Sequence, residues 1–154
     1  MSNPEFQRPP FIPSLVYKDN RAALKWLQKA FGFEVAEVLT DSKDNIVHAE
    51  MTHEGGVVMI GYEWTSWARS PSSAGGVNTQ RVHVRITKDI DQHCERAQAA
   101  GAVIEMRPAT QFYGDRTYMA VDLEGHHWTF AQSVKVVSLK DMEDATGFKF
   151  KPLE

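Results

Sequence analysis

Two short runs are the first places where this 154-residue sequence could do chemistry. His48-Ala49-Glu50 sets an imidazole two residues from a carboxylate, and Arg81-Val82-His83-Val84-Arg85 alternates cations with valines. Successive strand side chains point to opposite faces, so His48 with Glu50, and Arg81 with His83 and Arg85, would each share one face. Such faces could bind a polar ligand, or use His83 or Glu50 as a general acid or base. His48, Glu50 and His83 together could hold a divalent metal. The same pattern also describes any half-exposed antiparallel sheet. Large rings add a second signal. Trp64 and Trp67 lie in a stretch punctuated by Ser, Gly and Pro, and Phe112-Tyr113 precedes Gly114. Rings on loops contact a ligand, close the core or line a dimer seam. Arg69, Asp115 and Arg116 could bring charge beside them, with Asp115 and Arg116 expected to pair with each other.

Other candidates carry less. Cys94 falls between Ile90 and Ala97 on a helical apolar stripe, where a thiol behaves as a small hydrophobe. His93 beside it is expected in solvent. His126 and His127 are adjacent, so on a strand they point apart. Gly75-Gly76 has no following helix and fails the test for a phosphate cradle. No Ser-His-Asp set stands out. Net charge is -3, and no run of Lys or Arg tracks phosphates, so no nucleic-acid partner is expected. No apolar stretch approaches the roughly 20 residues that span a bilayer, so no membrane association is expected. The N-terminus lacks the layout of a signal peptide. With one cysteine, no intrachain disulfide can form, and the expected location is the cytoplasm.

The elements that must position these residues come in a repeating order. Residues 1–10 read as a polar, proline-rich arm, and residues 11–17 as a short apolar strand. Asp19 or Asn20 caps a helix ending at Phe31, with Ala23, Leu24, Leu27, Ala30 and Phe31 as its apolar stripe and Gly32 as its stop. Strands follow at 34–39, 46–52 and 57–62. Residues 63–80 form a long loop, read as a mobile linker. The order then restarts, with a strand at 82–86 and a helix capped by Asp89 with Gln92 as its capping-box residue. Strands at 103–106, 117–122 and 127–131 complete the second unit. Asp19 and Asp89 stand 70 residues apart, Gly32 and Gly101 69, and Glu54-Gly55 and Glu124-Gly125 70. A βαβββ module therefore occurs twice. The expected division is an arm at 1–10, modules at 11–62 and 81–133, a linker at 63–80, and a tail at 134–154 with a short helix over 138–145 stopped at Gly147. Alternation puts Val47, Ala49 and Met51 on the helix side of one strand, and Trp128 and Phe130 on the helix side of the last.

The segment YGDRTYMAVDLEGHHWTFAQ, residues 113–132, is similar to the last two strands of the vicinal oxygen chelate superfamily, where an Asp-x-x-Gly-His turn leads into Trp-x-Phe. That superfamily groups glyoxalase I, extradiol dioxygenases, fosfomycin-resistance enzymes and bleomycin-resistance proteins. AALKWLQKAFGFE and DIDQHCERAQAAGAVIE resemble its helix-to-strand joints, and the likeness covers roughly residues 11–132. It implies an α+β fold: two βαβββ modules whose curved mixed sheets surround a cup-shaped cavity, helices on the convex sides, with a C-terminal helical tail here. Metal-dependent members hold one ion with His and Glu from the first and last strands of each module. Carried over, those positions fall on Phe11 or Pro13, on Met59, on Arg81 (or His83 if the register slips by two), and on Thr129. At most one of the four could bind a metal, because Arg stays protonated.

The resemblance thus implies the bleomycin-resistance-like branch, with no metal and no cofactor. A small organic molecule would be bound by aromatic stacking and by Arg or His contacts. The expected ligand-binding residues are His48, Glu50, Trp64, Trp67, Arg81, His83, Arg85, Phe112, Tyr113, Arg116 and Thr129. The alternative is an enzyme of the same superfamily, a glyoxalase-type isomerase or lyase or a dioxygenase, with a displaced metal site or metal-independent acid–base chemistry. A homodimer is expected, because the cup can close within one chain or across two.

Overall fold

A computed structural model describes residues 8–153. Helix α1, Asn20–Phe31, begins where the Asp19 side chain accepts from the Ala22 N–H at 2.9 Å, and it ends at Gly32 in the left-handed region. Its stripe of Ala23, Leu24, Leu27, Ala30 and Phe31 is buried. Helix α2, Ile90–Ala99, starts the same way from Asp89 and buries Ile90, Cys94 and Ala97. Each helix lies on its own sheet. Strands β1 (Ser14–Tyr17), β2 (Glu34–Thr40), β3 (Ile46–His53) and β4 (Gly56–Tyr62) form a sheet in the order β1-β4-β3-β2. Strands β5 (Arg81–Arg85), β6 (Val103–Thr110), β7 (Asp115–Val121) and β8 (His127–Ser133) repeat that order as β5-β8-β7-β6. In both sheets the first strand pairs in parallel with the last and the other pairings are antiparallel. The α+β fold of two mixed four-stranded sheets is therefore the one expected, and α3 (Leu139–Thr146) is the tail helix, stopped at Gly147. No helix among the described residues is long and apolar enough to cross a membrane.

The two modules join through their helices. Trp26 Nε1 donates to the Ala100 carbonyl at the end of α2 (2.8 Å). In return the Arg96 guanidinium donates to the Lys29 and Gln28 carbonyls at the end of α1 (2.8 and 2.9 Å). Trp26 and Arg96 are 70 residues apart, so the same position in each copy satisfies the orphan carbonyls of the other copy's helix. Hairpin tips cross over as well. Glu54 accepts from Thr87 Oγ1 (2.6 Å), and Glu124 accepts from the backbone N–H groups of Lys18 and Asp19 (2.6 and 3.0 Å). Between them lies one core, centred on Phe31, whose ring centroid is 5.2 Å from Trp26, 5.6 Å from Phe33, 5.5 Å from Trp128 and 4.7 Å from Phe130.

Several expectations need correction. His93 is not in solvent. Its Nε2 lies 2.9 Å from the Phe31 carbonyl, which can only accept, so Nε2 carries the proton and Nδ1 accepts from Tyr118 Oη at 2.6 Å. Val47 is off the helix side and Ile46 takes its place in the core, because the β2–β3 register shifts between Leu39 and Thr40 and adds a bulge. Nor is the linker a free tether. Its middle turn, Pro71–Ser73, is fastened to the β7–β8 tip: buried Ser70 donates through its hydroxyl to Glu124 (2.6 Å), and the Ser72 N–H donates to the Glu124 carbonyl (3.0 Å). Of the expected arm, residues 8–10 are described, and residues 1–7 lie outside the described residues.

Candidate functional site

Alternation along β5 sorts its side chains. Val82 and Val84 pack against the core, and Arg81, His83 and Arg85 stand on the face turned away from the helices. The parallel register sets Arg81 beside His127 and His83 beside Thr129. On β8, Trp128 and Phe130 are fully buried, so Thr129 shares the open face with His83. Linker residues on both sides of the pinned turn, Trp67–Arg69 and Val77–Gln80, face β1 and the start of β5 across one hollow. That hollow, of about 680 Å³, is lined by Phe11, Trp67, Arg69, Arg81, His83 and His127 among others. Trp67 is 74% exposed and meets Trp64 edge-on at 5.3 Å. A smaller hollow of about 350 Å³ runs into the seam, between Phe11, Phe33, His53, Val84, Arg85 and Trp128.

The first sheet's open face carries a different cluster. Ala49 and Met51 are in the core, so His48 and Glu50 face away from it. Glu50 is buried all the same, because Arg8 lies across it. Arg8 Nη1 donates to Oε2 at 3.0 Å and Nη2 to Oε1 at 2.5 Å, and His48 Nε2 is 3.3 Å from Oε1. The Arg8 hydrogen bonds hold the Glu50 carboxyl below the usual carboxylate range, against the upward push of burial. Arg8 was not singled out from sequence. It sits in a segment with no periodicity, 42 residues from its partner, so no local signal marks it.

The remaining expected residues do not converge on these clusters. Asp115 and Arg116 make no pair, since neighbours on a strand point to opposite faces. Arg116 turns to the helix side and forks onto Asp91 of α2 at 2.9 and 2.7 Å. Asp115 stays on the open face, 3.5 Å from Arg85, and accepts from Ser133. Arg85 also donates to Ser133. Phe112 and Tyr113 pack edge-on at 5.1 Å in the β6–β7 turn and make no ring contact with the tryptophan pair among the described residues. Gly114, at φ +99°, ends that turn, and its carbonyl takes the N–H groups of Val134 and Lys135, which roots the tail there. Sequence reading also missed the role of Asp122. It accepts from Tyr17 Oη (2.6 Å), Trp128 Nε1 (3.0 Å) and the backbone of Glu124 and His126 (3.0 Å each), locking the Asp-x-x-Gly-His turn to the first module.

The metal positions implied by the resemblance can be tested against this register. Beside Thr129 stands His83, not Arg81, and beside Met59 stands Ser14, not Phe11 or Pro13. Ser14, Met59, His83 and Thr129 offer one imidazole and no carboxylate, which falls short of three converging N/O ligands. A displaced site from His48, Glu50 and His83 fares no better. The Glu50 carboxylate is taken by Arg8, and His83 belongs to the other sheet. Among the described residues no three His, Cys, Asp or Glu side chains are grouped as metal ligands. These residues do not fit the superfamily's metal.

Comparison with known proteins agrees with the topology. The chain is 33% identical to TioX from Micromonospora sp. ML1, covering 80% of this chain and 98% of that one with a TM-score of 0.66. An uncharacterised protein of Mycobacterium bovis is 28% identical over 141 residues, 89% of this chain and 91% of that protein. The fosfomycin resistance protein FosX from Listeria monocytogenes shares the fold at 18% identity, covering 88% of this chain and 98% of that one, with a TM-score of 0.60. Residues 12–130 match the model of the Glyoxalase/Bleomycin resistance protein/Dioxygenase superfamily, and with its paired βαβββ sheets and mutually capped helices the chain belongs to that family.

Proposed function

We propose that this protein binds a small organic molecule without a metal, as expected for a bleomycin-resistance-like member. The observation that carries the reading is the hollow of about 680 Å³ that gathers Trp67, Arg81 and His83 from the linker and β5. Its volume lies within the roughly 300–1,000 Å³ typical of ligand sites. An exposed indole offers a stacking surface, and Arg81 or His83 fixes the polar end. Acid–base catalysis by Glu50 is not favoured, because Arg8 pulls that carboxyl down, away from the near-neutral range a general base needs. The test is mass spectrometry of small molecules carried through purification, followed by tryptophan fluorescence titration with whatever is found. A stoichiometric organic ligand that quenches the fluorescence supports the reading. Turnover that appears only on adding a divalent metal overturns it.

The same reading includes a homodimer. Helices α1 and α2 touch, so both cannot lie on the outside of a cup closed within one chain. A cup of two facing sheets then takes its second sheet from a second copy. Among the described residues the tail helix α3 buries no residue and touches no other element, leaving Leu139, Phe148 and Phe150 exposed to meet a partner. Sedimentation at micromolar concentration should give twice 17.4 kDa, and a clean monomer overturns the dimer. The expected workplace is the cytoplasm, where the single buried thiol, Cys94, stays reduced.

A further inference from the structure

We infer that the hollow beside Arg81 takes an organic anion, a planar acid whose carboxylate meets the Arg81 guanidinium. This rests on the binding reading above and adds the ligand's charge. The hollow is lined by Arg69, Arg81, His83, His126 and His127, and among the described residues no Asp or Glu lines it. Most of these groups are already engaged. His126 Nε2 donates to the Val16 carbonyl at 2.7 Å, His127 Nδ1 is 3.0 Å from Glu105, and Arg69 leans on Glu63 at 3.5 Å. Arg81 and His83 have no hydrogen-bond or ion-pair partner among the described residues. Every other described arginine has one: Arg8 on Glu50, Arg21 on Asp44, Arg69 on Glu63, Arg85 on Asp115, Arg96 on Lys29 and Gln28, Arg107 on Glu95, and Arg116 on Asp91.

An unanswered guanidinium at the wall of a cavity creates a positive field that neighbouring apolar groups strengthen by excluding water. Phe11, Ile12, Trp67 and Val77 supply that apolar wall. The guanidinium fork matches the two oxygens of a carboxylate, and the Trp67 ring can lie along the planar body attached to it. A cationic ligand would meet Arg81 with no carboxylate among the described residues to offset it.

The experiment titrates the full chain with 2-naphthoate and with its neutral isostere 2-naphthamide, by calorimetry at low ionic strength. The acid should bind at least about tenfold more tightly than the amide, and added salt should erode the difference. In Arg81→Gln the acid and amide should bind alike, while Arg81→Lys keeps part of the preference. Both variants should melt like the parent, because Arg81 holds nothing else in place. Equal affinity for acid and amide in the parent, failure of naphthoate to bind, or an unchanged preference in Arg81→Gln overturns the inference. If naphthamide then still binds and Trp67→Ala weakens it, the stacking reading stands while the anion assignment falls.

Discussion

Glu50 on the first sheet and Arg81 on the second both stand on faces turned away from the helices, and the chain treats them in opposite ways. Glu50 is buried, and the chain returns a guanidinium from 42 residues away to cover it. Arg81 is exposed and receives nothing among the described residues. A buried carboxylate without a counter-charge is costly, so the fold supplies Arg8. An exposed guanidinium at the wall of an open hollow costs little to leave alone, so it is available to something that arrives from outside. On the proposed reading, structure and binding separate by whether a polar group's partner lies within the chain.

Along β8 this contrast shrinks to two neighbouring residues and gives the largest expected effect. Trp128 is fully buried, stacks with Phe130 and donates to Asp122. Trp128→Ala should cost about 3–5 kcal/mol, read as a shift of the urea midpoint. Thr129, one residue on, is buried on the opposite face, and its hydroxyl has no partner among the described residues. Thr129→Val keeps the shape and removes the unmet group, so it should be neutral or stabilising by about 1 kcal/mol. A large loss in Thr129→Val would mean that this hydroxyl has a partner in solution, such as bound water or a second copy.

His93 sharpens the comparison from the buried side. Burial lowers its pKa below 6.5, outweighing the Phe31 carbonyl, whose hydrogen bond to Nε2 favours the charged ring. Between the folded value and 6.5 the unfolded chain binds more protons, so stability falls as pH drops through that window and is flat above it. His93→Phe should remove that portion of the pH dependence. An unchanged profile between about pH 5 and 7 would show that His93 does not titrate differently on folding.

How far all this was readable from sequence depends on the range of the interaction. The caps at Asp19 and Asp89, the stop at Gly32, the alternation in β5 and the 70-residue repeat are local or periodic, and they gave the α+β topology. What failed was long-range or broke periodicity. The bulge that swaps Ile46 for Val47 leaves no composition signal. His93 lies at the edge of α2's stripe, and only the packing of α1 against α2 covers it. Arg8 on Glu50 and Ser70 on Glu124 join segments that sequence spacing does not connect. For the site, the face shared by Arg81 and His83 was legible. Which of its charges would remain unpaired was not, because that depends on where every other carboxylate points.

Arg8 and Arg81 can be set against each other by a matched pair of substitutions. The Glu50 carboxyl is held below its ordinary 4.5 chiefly by Arg8, so the stability it contributes is present above 4.5 and is lost as pH falls through the folded value. Arg8→Ala should bring the Glu50 pKa up and make the acid limb of the stability curve shallower below about pH 4.5. Arg81→Ala should leave that limb and the neutral-pH midpoint where they are. Matching acid limbs in the parent and Arg8→Ala would mean that the pair does not persist in solution, and Glu50 would join Arg81 as an open group.

The smallest effect on stability is expected from the loop tryptophans, and there the separation between folding and binding is cleanest. Trp64 and Trp67 are 60% and 74% exposed and touch mainly each other, whereas Trp26 is tied to Ala100 and Trp128 lies in the core. Removing a ring that buries little apolar surface should change stability by no more than about 0.5 kcal/mol, the range of ordinary surface substitutions. Binding should respond differently for the two rings. Trp67 lines the hollow beside Arg81, so Trp67→Ala should weaken the ligand directly. Trp64 does not line the hollow among the described residues and meets it through its edge-on contact with Trp67, so Trp64→Ala should act less, by loosening that ring. Fluorescence adds a second readout, because a ligand that stacks on Trp67 should lose its quenching in Trp67→Ala and keep most of it in Trp64→Ala. If both variants instead destabilise the protein as Trp128→Ala does, the two rings are buried in solution by a second copy, and the linker is part of the dimer seam and not the wall of a binding site.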